Sequence, residues 1–203
     1  MSDDILETAL GFLTRLSENN SRDWFQTHKS DYEAQVKRPA EALLDQLAAP
    51  LSVLAGAPVT PKLFRIHRDL RFSKDKTPYN THLHLSWSAP DGTAWMFGLS
   101  RDYCCAGAGV MEFSKTGLTA WREHVAEHGF VDLSPWRLDD PALKRVPPPY
   151  PQDHPQGALM RRKGLLVWHD LGAAERGDPV PVLTRAFEDM EPVRTALAEI
   201  LTA

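Results

Sequence analysis

The residues best suited to chemistry lie between Phe64 and His82, in the stretch FRIHRDLRFSKDKTPYNTH. From Lys62 to His82 the chain carries six Lys/Arg and two Asp, a local formal charge of +4, whereas the whole chain carries −4. Converging cationic groups bind phosphate and carboxylate oxygens, and the forked guanidinium matches these oxygens geometrically. The stretch therefore predicts a site for a small anionic ligand, phosphorylated ligands included.

The same stretch has the period-two alternation of an extended strand. Its apolar row is Phe64, Ile66, Leu70 and Phe72. Arg68 interrupts this row, and it needs a carboxylate, a carbonyl or an anion there, because an unpaired buried guanidinium is strongly destabilising. Turn-forming residues follow at 73–79. We therefore predict a basic strand that ends in a basic turn.

Two sets of residues are assigned to this candidate site. The first set could hold the anion and comes from three parts of the chain: Arg22, Lys29, Arg65, Arg68, Arg71, Ser73, Lys74, Lys76, Tyr79, Arg161 and Lys163. The second set could transfer a proton, because imidazole titrates near neutral pH and a carboxylate can accept a proton. It consists of His82, His67 and Asp69. A reaction at this site is a hypothesis.

Two alternatives to the small-ligand site stay open. Asp69 and Asp75 could pair with the arginines, which would make the cluster an internal charge network of a structural or protein-interaction module. A local basic groove could instead bind nucleic acid, with Tyr79 or Trp24 stacking on a base. An enclosed basic pocket favours the small ligand, fully paired arginines favour the network, and an open groove with exposed aromatic rings favours nucleic acid.

No metal or cofactor is predicted. His82 and His84 share one strand face, and His67 or Asp69 could complete a metal site, but His-x-His on a half-exposed strand is more often a solvated surface. The pair Cys104-Cys105 has neither a metal-binding nor a redox spacing. We interpret these cysteines as small core residues, one of which could be a partly exposed thiol.

Composition limits the class of protein. The chain has 203 residues, of which 42% are hydrophobic, so we predict a single domain over residues 1–203. The net charge argues against a surface that binds nucleic acid all over. No apolar run approaches the ~20 residues that cross a bilayer, and Met1-Ser2-Asp3-Asp4 lacks the basic start of a secretion signal. We expect a cytoplasmic protein without membrane contact, and its oligomeric state stays open.

Hydrophobic periodicity predicts the elements that position the site. Helices are expected near both ends of the chain, and the last one is predicted as a single helix over residues 178–201. Alternation around the turn Pro90-Asp91-Gly92 predicts a hairpin, and strands are expected at residues 103–110 and 165–168. The prolines of residues 146–151 indicate an extended crossover. The predicted fold is α+β: an antiparallel β-sheet of about five strands packed by N-terminal and C-terminal helices.

Motifs distributed over most of the chain carry a family resemblance. They are Glu18-Asn19-Asn20 with Arg22, Trp24-Phe25 and His28-Lys29; residues 64–79 with Thr81-His82; Gly107 and Gly109; and Asp153-His154-Pro155 with Leu159, Arg161 and Lys163. On these residues the chain resembles the domain of unknown function 2461 (DUF2461), a family of uncharacterised, mainly bacterial proteins. The resemblance marks the basic stretch as the site and implies no activity or substrate. The chain departs from the pattern at Pro148-Pro149, where relatives tend to carry a lysine and a glycine, so a basic contact could be missing.

Overall fold

A computed structural model describes residues 5–71, 73–172 and 177–202 of the chain. The predicted chain start at residues 1–4 and the predicted apolar position of Phe72 lie outside these ranges. The helices are α1 (Ile5–Glu18), α2 (Arg22–Thr27), α3 (Lys29–Tyr32), α4 (Arg38–Ala55), α5 (Lys115–His128), α6 (Gly157–Met160), α7 (Pro179–Asp189) and α8 (Glu191–Thr202), with a π-helical turn at Glu33–Lys37. The strands are β1 (Thr60–Leu63), β2 (His82–Ser88), β3 (Ala94–Ser100), β4 (Cys104–Val110), β5 (Arg137–Leu138) and β6 (Leu165–Asp170).

In the described part of the chain, the strands form one six-stranded sheet in the order β1-β2-β3-β4-β6-β5. Every neighbouring pair is antiparallel. The α+β class and the antiparallel sheet are therefore confirmed, with six strands instead of about five. The edge strands β1 and β5 were not predicted, because four and two residues are too few to show a period.

The helices differ from the prediction where the chain turns sharply. Helical spacing of Trp24, Tyr32 and Val36 predicts one helix, which in the structure is interrupted at His28 and continues as α3 and the π-helical turn before α4. The predicted C-terminal helix is two helices that meet at Met190. Pro192 lies in the first turn of α8, where its missing N–H removes no helical hydrogen bond. In α1 the buried face includes Leu6, whereas Ile5, which helical spacing with Ala9 and Phe12 predicts to face the core, is 43% exposed.

The helices pack on one face of the sheet. Helices α1, α4, α7 and α8 contact strands β2, β3 and β4. Leu85, Trp87 and Phe97 lie beneath them and are at most 1% exposed. The indole N–H of Trp87 donates a 2.9 Å hydrogen bond to the carbonyl of Leu44 in α4. One face of the sheet therefore packs in the core. The alternate residues of each strand lie on the opposite face.

One cluster of buried residues extends from Leu6 to Ile200. The division of the chain into a single domain stays a prediction, and this continuous cluster is consistent with it. No helix within the described ranges combines the length and the apolar content that a membrane crossing needs.

Arg194 joins two parts of the fold. It is 4% exposed, and its guanidinium donates to Glu191 and Asp91 at 2.8 Å and to the hydroxyl of Thr93 at 3.0 Å. It also lies over the Trp95 ring, 4.8 Å from the ring centroid. The β2–β3 turn and the start of α8 are therefore connected through one buried cation.

We expect Arg194→Leu to lower the free energy of unfolding by about 3–5 kcal/mol, because two mostly buried carboxylates lose their counter-charge. Chemical denaturation followed by circular dichroism measures this loss. The matched control is Arg185→Leu, which removes an exposed guanidinium from α7. Equal losses in the two variants would show that the buried network is not a major source of stability.

Candidate functional site

The predicted basic strand is a loop. After β1 the chain makes one more hydrogen bond to the sheet, from the Phe64 N–H to the His84 carbonyl at 3.0 Å, and then leaves the sheet edge. Residues 64–81, which we call the basic loop, fold back on themselves through the isolated bridge between His67 and Tyr79. The strand prediction was wrong, although the alternation is real: Ile66 is buried and its neighbours Arg65 and His67 are exposed.

The basic loop is attached to the N-terminal helices. The side chain of Asn20 donates to the Tyr79 carbonyl at 2.9 Å and accepts from the Tyr79 N–H at 3.1 Å. The Tyr79 ring stacks on Phe25 with a centroid separation of 4.1 Å, and His67 contacts it from 5.2 Å. Tyr79, assigned from the sequence to ligand binding, is therefore held by packing inside the fold.

Two of the predicted anion-binding arginines are held by carboxylates. Arg68 donates to Asp75 at 2.5 Å and also to the hydroxyl of Thr77, which supplies the partner that its place in the apolar row requires. Hydrogen bonds from the Thr77 N–H and from Arg68 lower the pKa of Asp75 to about 2. Arg71 donates through its backbone and its guanidinium to Asp69, which lowers the pKa of that carboxyl.

A cleft of about 370 Å³ separates the basic loop from the start of β2. One wall is formed by the loop and contains Arg65, His67, Arg68 and Asp69. The ends of the loop also contribute Phe64 and Asn80, and the other wall is formed by His82 and His84 of β2. The structure thus brings together the three predicted proton-transfer residues and two of the predicted anion ligands.

The two histidines of β2 are electrostatically unusual. Their rings stack with a centroid separation of 4.0 Å. Burial and the nearby Arg68 lower the pKa of His82, and burial together with His82 lowers the pKa of His84 to about 4. A 2.6 Å hydrogen bond joins Nε2 of His84 to the Tyr103 hydroxyl. Both imidazoles are consequently neutral near pH 7.

Metal binding by these histidines was considered from the sequence. Within residues 5–71, 73–172 and 177–202, no three His, Cys, Asp or Glu side chains come close enough together to hold a metal ion.

The remaining predicted ligand residues do not line the cleft. On the loop, the Lys76 ammonium donates to the Leu70 carbonyl at 2.9 Å, Ser73 makes a long 3.5 Å contact with Arg68, and Lys74 is exposed. Arg22 and Lys29 are exposed at the starts of α2 and α3.

Arg161 and Lys163 lie at the other end of the sheet. Lys163 precedes β6, whose first residue pairs with the end of β4, whereas His82 pairs with Ser100 at the opposite end of the strands. Lys163 lines a separate pocket of about 170 Å³ that also contains Asp139 and Asp140. The predicted convergence of all the basic residues is therefore wrong for this pair.

A second cavity, which the sequence did not reveal, occupies the sheet face opposite the helices. This sheet-face cavity has a volume of about 230 Å³, and its lining includes His84, Met96, Gly98, Cys105 and Trp168. Strand alternation could have placed these residues on one face, but only the order of the strands makes them neighbours.

The cysteine pair was predicted with one partly exposed thiol. Cys104 and Cys105 are instead both buried. Cys105 lines the sheet-face cavity, where burial raises the pKa of its thiol to about 11. A neutral thiol is a poor nucleophile, so Cys105 contributes shape to the cavity wall.

Fold and site together define an α+β protein with helices on one face of an antiparallel sheet and a basic cleft at the start of an edge-proximal strand. The chain belongs to the family described as “Conserved hypothetical protein (DUF2461)”, whose family model matches residues 8–195. This confirms the resemblance inferred from the motifs. No match to a curated protein or to a solved structure accompanies it.

We expect Asn20→Ala to loosen the basic loop, because both side-chain hydrogen bonds to the Tyr79 backbone disappear. A stability loss of about 1–3 kcal/mol is typical when buried polar partners are left unpaired. Amide hydrogen exchange at Tyr79 should accelerate. The control is Asn19→Ala, since among the described residues the Asn19 side chain bonds only to the nearby Arg15 carbonyl. Unchanged exchange at Tyr79 would contradict this role of Asn20.

We expect the free energy of unfolding to fall as the pH drops from about 6.5 to about 4. In this range the unfolded chain binds a proton at His84 that the folded protein does not bind, because the folded-state pKa is about 4. Below that pKa this contribution stops changing. The variant His84→Gln should have a shallower pH profile in denaturation experiments, and His128→Gln, on the exposed side of α5, is the matched control. An unaltered profile in His84→Gln would refute the assignment.

Proposed function

We propose that this protein binds a small anion, with a phosphate group as the best fit, in the cleft between the basic loop and β2. A cytoplasmic location, as expected from the sequence, would supply phosphorylated metabolites. The proposal rests on the balance of donors and acceptors in the cleft walls. Arg65 and Arg68 contribute cationic donors, whereas the Asp69 carboxylate has both oxygens occupied by Arg71.

Arg65 is the first group that an anion would meet. Its side chain is exposed and lines the cleft, and no hydrogen bond or ion pair joins its guanidinium to another residue in the described ranges. Its backbone carbonyl accepts a 3.1 Å hydrogen bond from Asn80, which fixes the backbone beneath the side chain. A free guanidinium on a fixed backbone can form two parallel bonds to phosphate oxygens.

Arg68 supplies a second, pre-organised donor. Its Nη1 is held by Asp75 and Thr77, whereas its Nη2 makes only a 3.5 Å contact with Ser73 among the described residues. A side chain that is already immobilised loses less entropy on binding than a free one. The Arg68–Asp75 pair therefore braces the loop and immobilises a guanidinium that lines the cleft.

The same cleft contains His82, whose imidazole can accept a proton. Asp69 is bound by Arg71, and the resulting low pKa makes it a weak base. His82 is neutral near pH 7 because burial and Arg68 lower its pKa, so its imidazole has a free lone pair. If the bound anion reacts, His82 is the residue that we propose as general base.

A structural or protein-interaction role of the basic loop is the second candidate function. The pairs Arg68–Asp75 and Arg71–Asp69 favour it, because they are the contacts that an internal charge network requires. Arg71 is 78% exposed in its side chain, however, and exposed ion pairs stabilise a fold only slightly. The network therefore accounts for two of the arginines and leaves Arg65 without a role.

The contacts of the aromatic rings give nucleic-acid binding little support. The Trp24 ring stacks on His28 with a centroid separation of 4.0 Å and also contacts Phe12. Tyr79 stacks on Phe25. Both rings that were considered as platforms for a base are therefore engaged within the fold, whereas single-strand binding needs free aromatic faces.

Inorganic phosphate and pyrophosphate should raise the melting temperature of the protein, since a ligand at 100 times its dissociation constant adds about 2.7 kcal/mol of stability. Arg65→Gln should abolish this shift, because it removes the free cation of the cleft. Arg185→Gln is the matched control: it removes an exposed guanidinium from α7 that does not line the cleft. Differential scanning fluorimetry and calorimetric titration measure both effects. If Arg65→Gln responds to phosphate as the wild type does, the cleft is not the anion site.

A further inference from the structure

The sheet-face cavity and the anion cleft are neighbours. His84 lines both of them, and His82, which stacks on His84, lines the cleft. The cavity is therefore within reach of the organic part of a molecule whose anionic group sits beside Arg65. This inference rests on the proposed function, because the anion determines which end of the ligand faces the basic loop.

The walls of the sheet-face cavity suit an uncharged, apolar group. Met96, Gly98 and Cys105 offer no charged atom, and the buried Cys105 thiol stays protonated. The polar groups at its rim already have partners. His84 bonds to Tyr103, and Arg137 makes two 2.9 Å hydrogen bonds to Asp170. The Asp139 carboxylate, which also lines the cavity, accepts the Trp168 N–H at 3.0 Å and lies 3.7 Å from the Arg137 guanidinium. A charged occupant would find no unpaired counter-charge among these residues.

Flat surfaces border the cavity. The Trp168 indole lies against Gly107, so closely that a Cβ at that position would be 2.5 Å from the ring. Its N–H donates to Asp139 at 3.0 Å, which fixes the plane of the ring. The His84 imidazole borders the cavity as a second flat group, and flat rings pack well against other flat rings.

The cavity is large enough for a ring. Its volume of about 230 Å³ exceeds the roughly 150 Å³ of an engineered apolar cavity that binds benzene. Gly98 keeps this space open, because a Cβ there would lie 3.0 Å from the Tyr103 ring and 3.5 Å from Cys105 Sγ.

We propose that the ligand is a small aryl phosphate or aryl carboxylate, whose anionic group binds beside Arg65 and whose single aromatic ring occupies the sheet-face cavity. The juxtaposition of a basic cleft and an apolar, flat-walled cavity at His84 selects this class. An anion without a ring fills only the cleft, and a neutral ring without the anion fills only the cavity. Both should bind more weakly than the combined molecule.

Calorimetric titration with phenyl phosphate, inorganic phosphate and phenol tests the proposal. Phenyl phosphate should bind about 10- to 100-fold more tightly than inorganic phosphate, because burial of a Phe-sized apolar group shifts an equilibrium by about that factor. In a spectrum of protein labelled at the methionine methyl groups, phenyl phosphate should shift the Met96 resonance through the ring current. Inorganic phosphate should leave it unchanged.

Variants separate this inference from anion binding itself. Gly98→Ala should remove most of the advantage of phenyl phosphate and keep the affinity for inorganic phosphate, since it narrows the cavity but not the cleft. Met96→Phe is a second variant, for use if Gly98→Ala does not fold, and it fills the same cavity with a larger side chain. The matched control is Gly11→Ala, where a Cβ meets no atom within 4 Å.

The outcomes distinguish the two proposals. Equal affinities for phenyl phosphate and inorganic phosphate in the wild type would overturn the ring site and leave the anion site standing. Binding of neither compound would overturn both. An affinity gain for phenyl phosphate that survives in Gly98→Ala and Met96→Phe would place the ring outside the sheet-face cavity and so refute the proposal.

Discussion

The alternation of side chains along the antiparallel sheet is the constraint on which the rest of this structure depends. In β2, Leu83, Leu85 and Trp87 turn toward the helices and are buried, so the intervening His82 and His84 must face the other way. Because four helices cover the first face, the second face is available for cavities. The core and the candidate site are therefore two consequences of one pattern, and a register shift by one residue would exchange them.

The basic loop shows that side chains can alternate between two sides of the chain without β-sheet hydrogen bonds to a neighbouring strand. Any extended chain places successive side chains on opposite sides, whether or not a neighbouring strand bonds to it. β1 uses the edge of β2 for only four residues, and the chain then departs after Phe64. Asn20 and the stacked pair Phe25–Tyr79 hold the departing loop in place. Because these contacts fix the loop, it can place the Arg65 and Arg68 side chains beside β2. In a strand paired within the sheet, the same side chains would lie over the faces of the sheet.

The charged side chains of the loop have two roles: some pair with each other, and others face the cleft. A count of charged residues does not distinguish these roles. Arg71 and Asp69 neutralise each other locally, and the bond between Arg68 and Asp75 satisfies a guanidinium in a partly buried position. The formal charge of +4 for residues 62–82 already includes these two carboxylates. The orientation of the remaining groups matters. Arg65 faces the cleft without a carboxylate bonded to it, and His82 is kept neutral by its burial and by the same Arg68 that braces the loop. On the proposed function, these oriented differences are what would let a partly balanced set of charges bind an anion.

The sequence alone determined the α+β class, the hairpin around Pro90-Asp91-Gly92, most helix positions and the stretch in which the cleft lies, because these depend on local periodicity and turn chemistry. The tertiary structure alone decided which basic residues meet. Arg65 and His82 face each other across a cleft because the loop folds back, while Lys163 is carried to the far end of the sheet by the order of the strands. The sheet-face cavity belongs to the same category, since Gly98, Cys105 and Trp168 become neighbours only through strand pairing between distant segments. Periodicity describes one element at a time, and a site built from several elements depends on contacts that no single element contains.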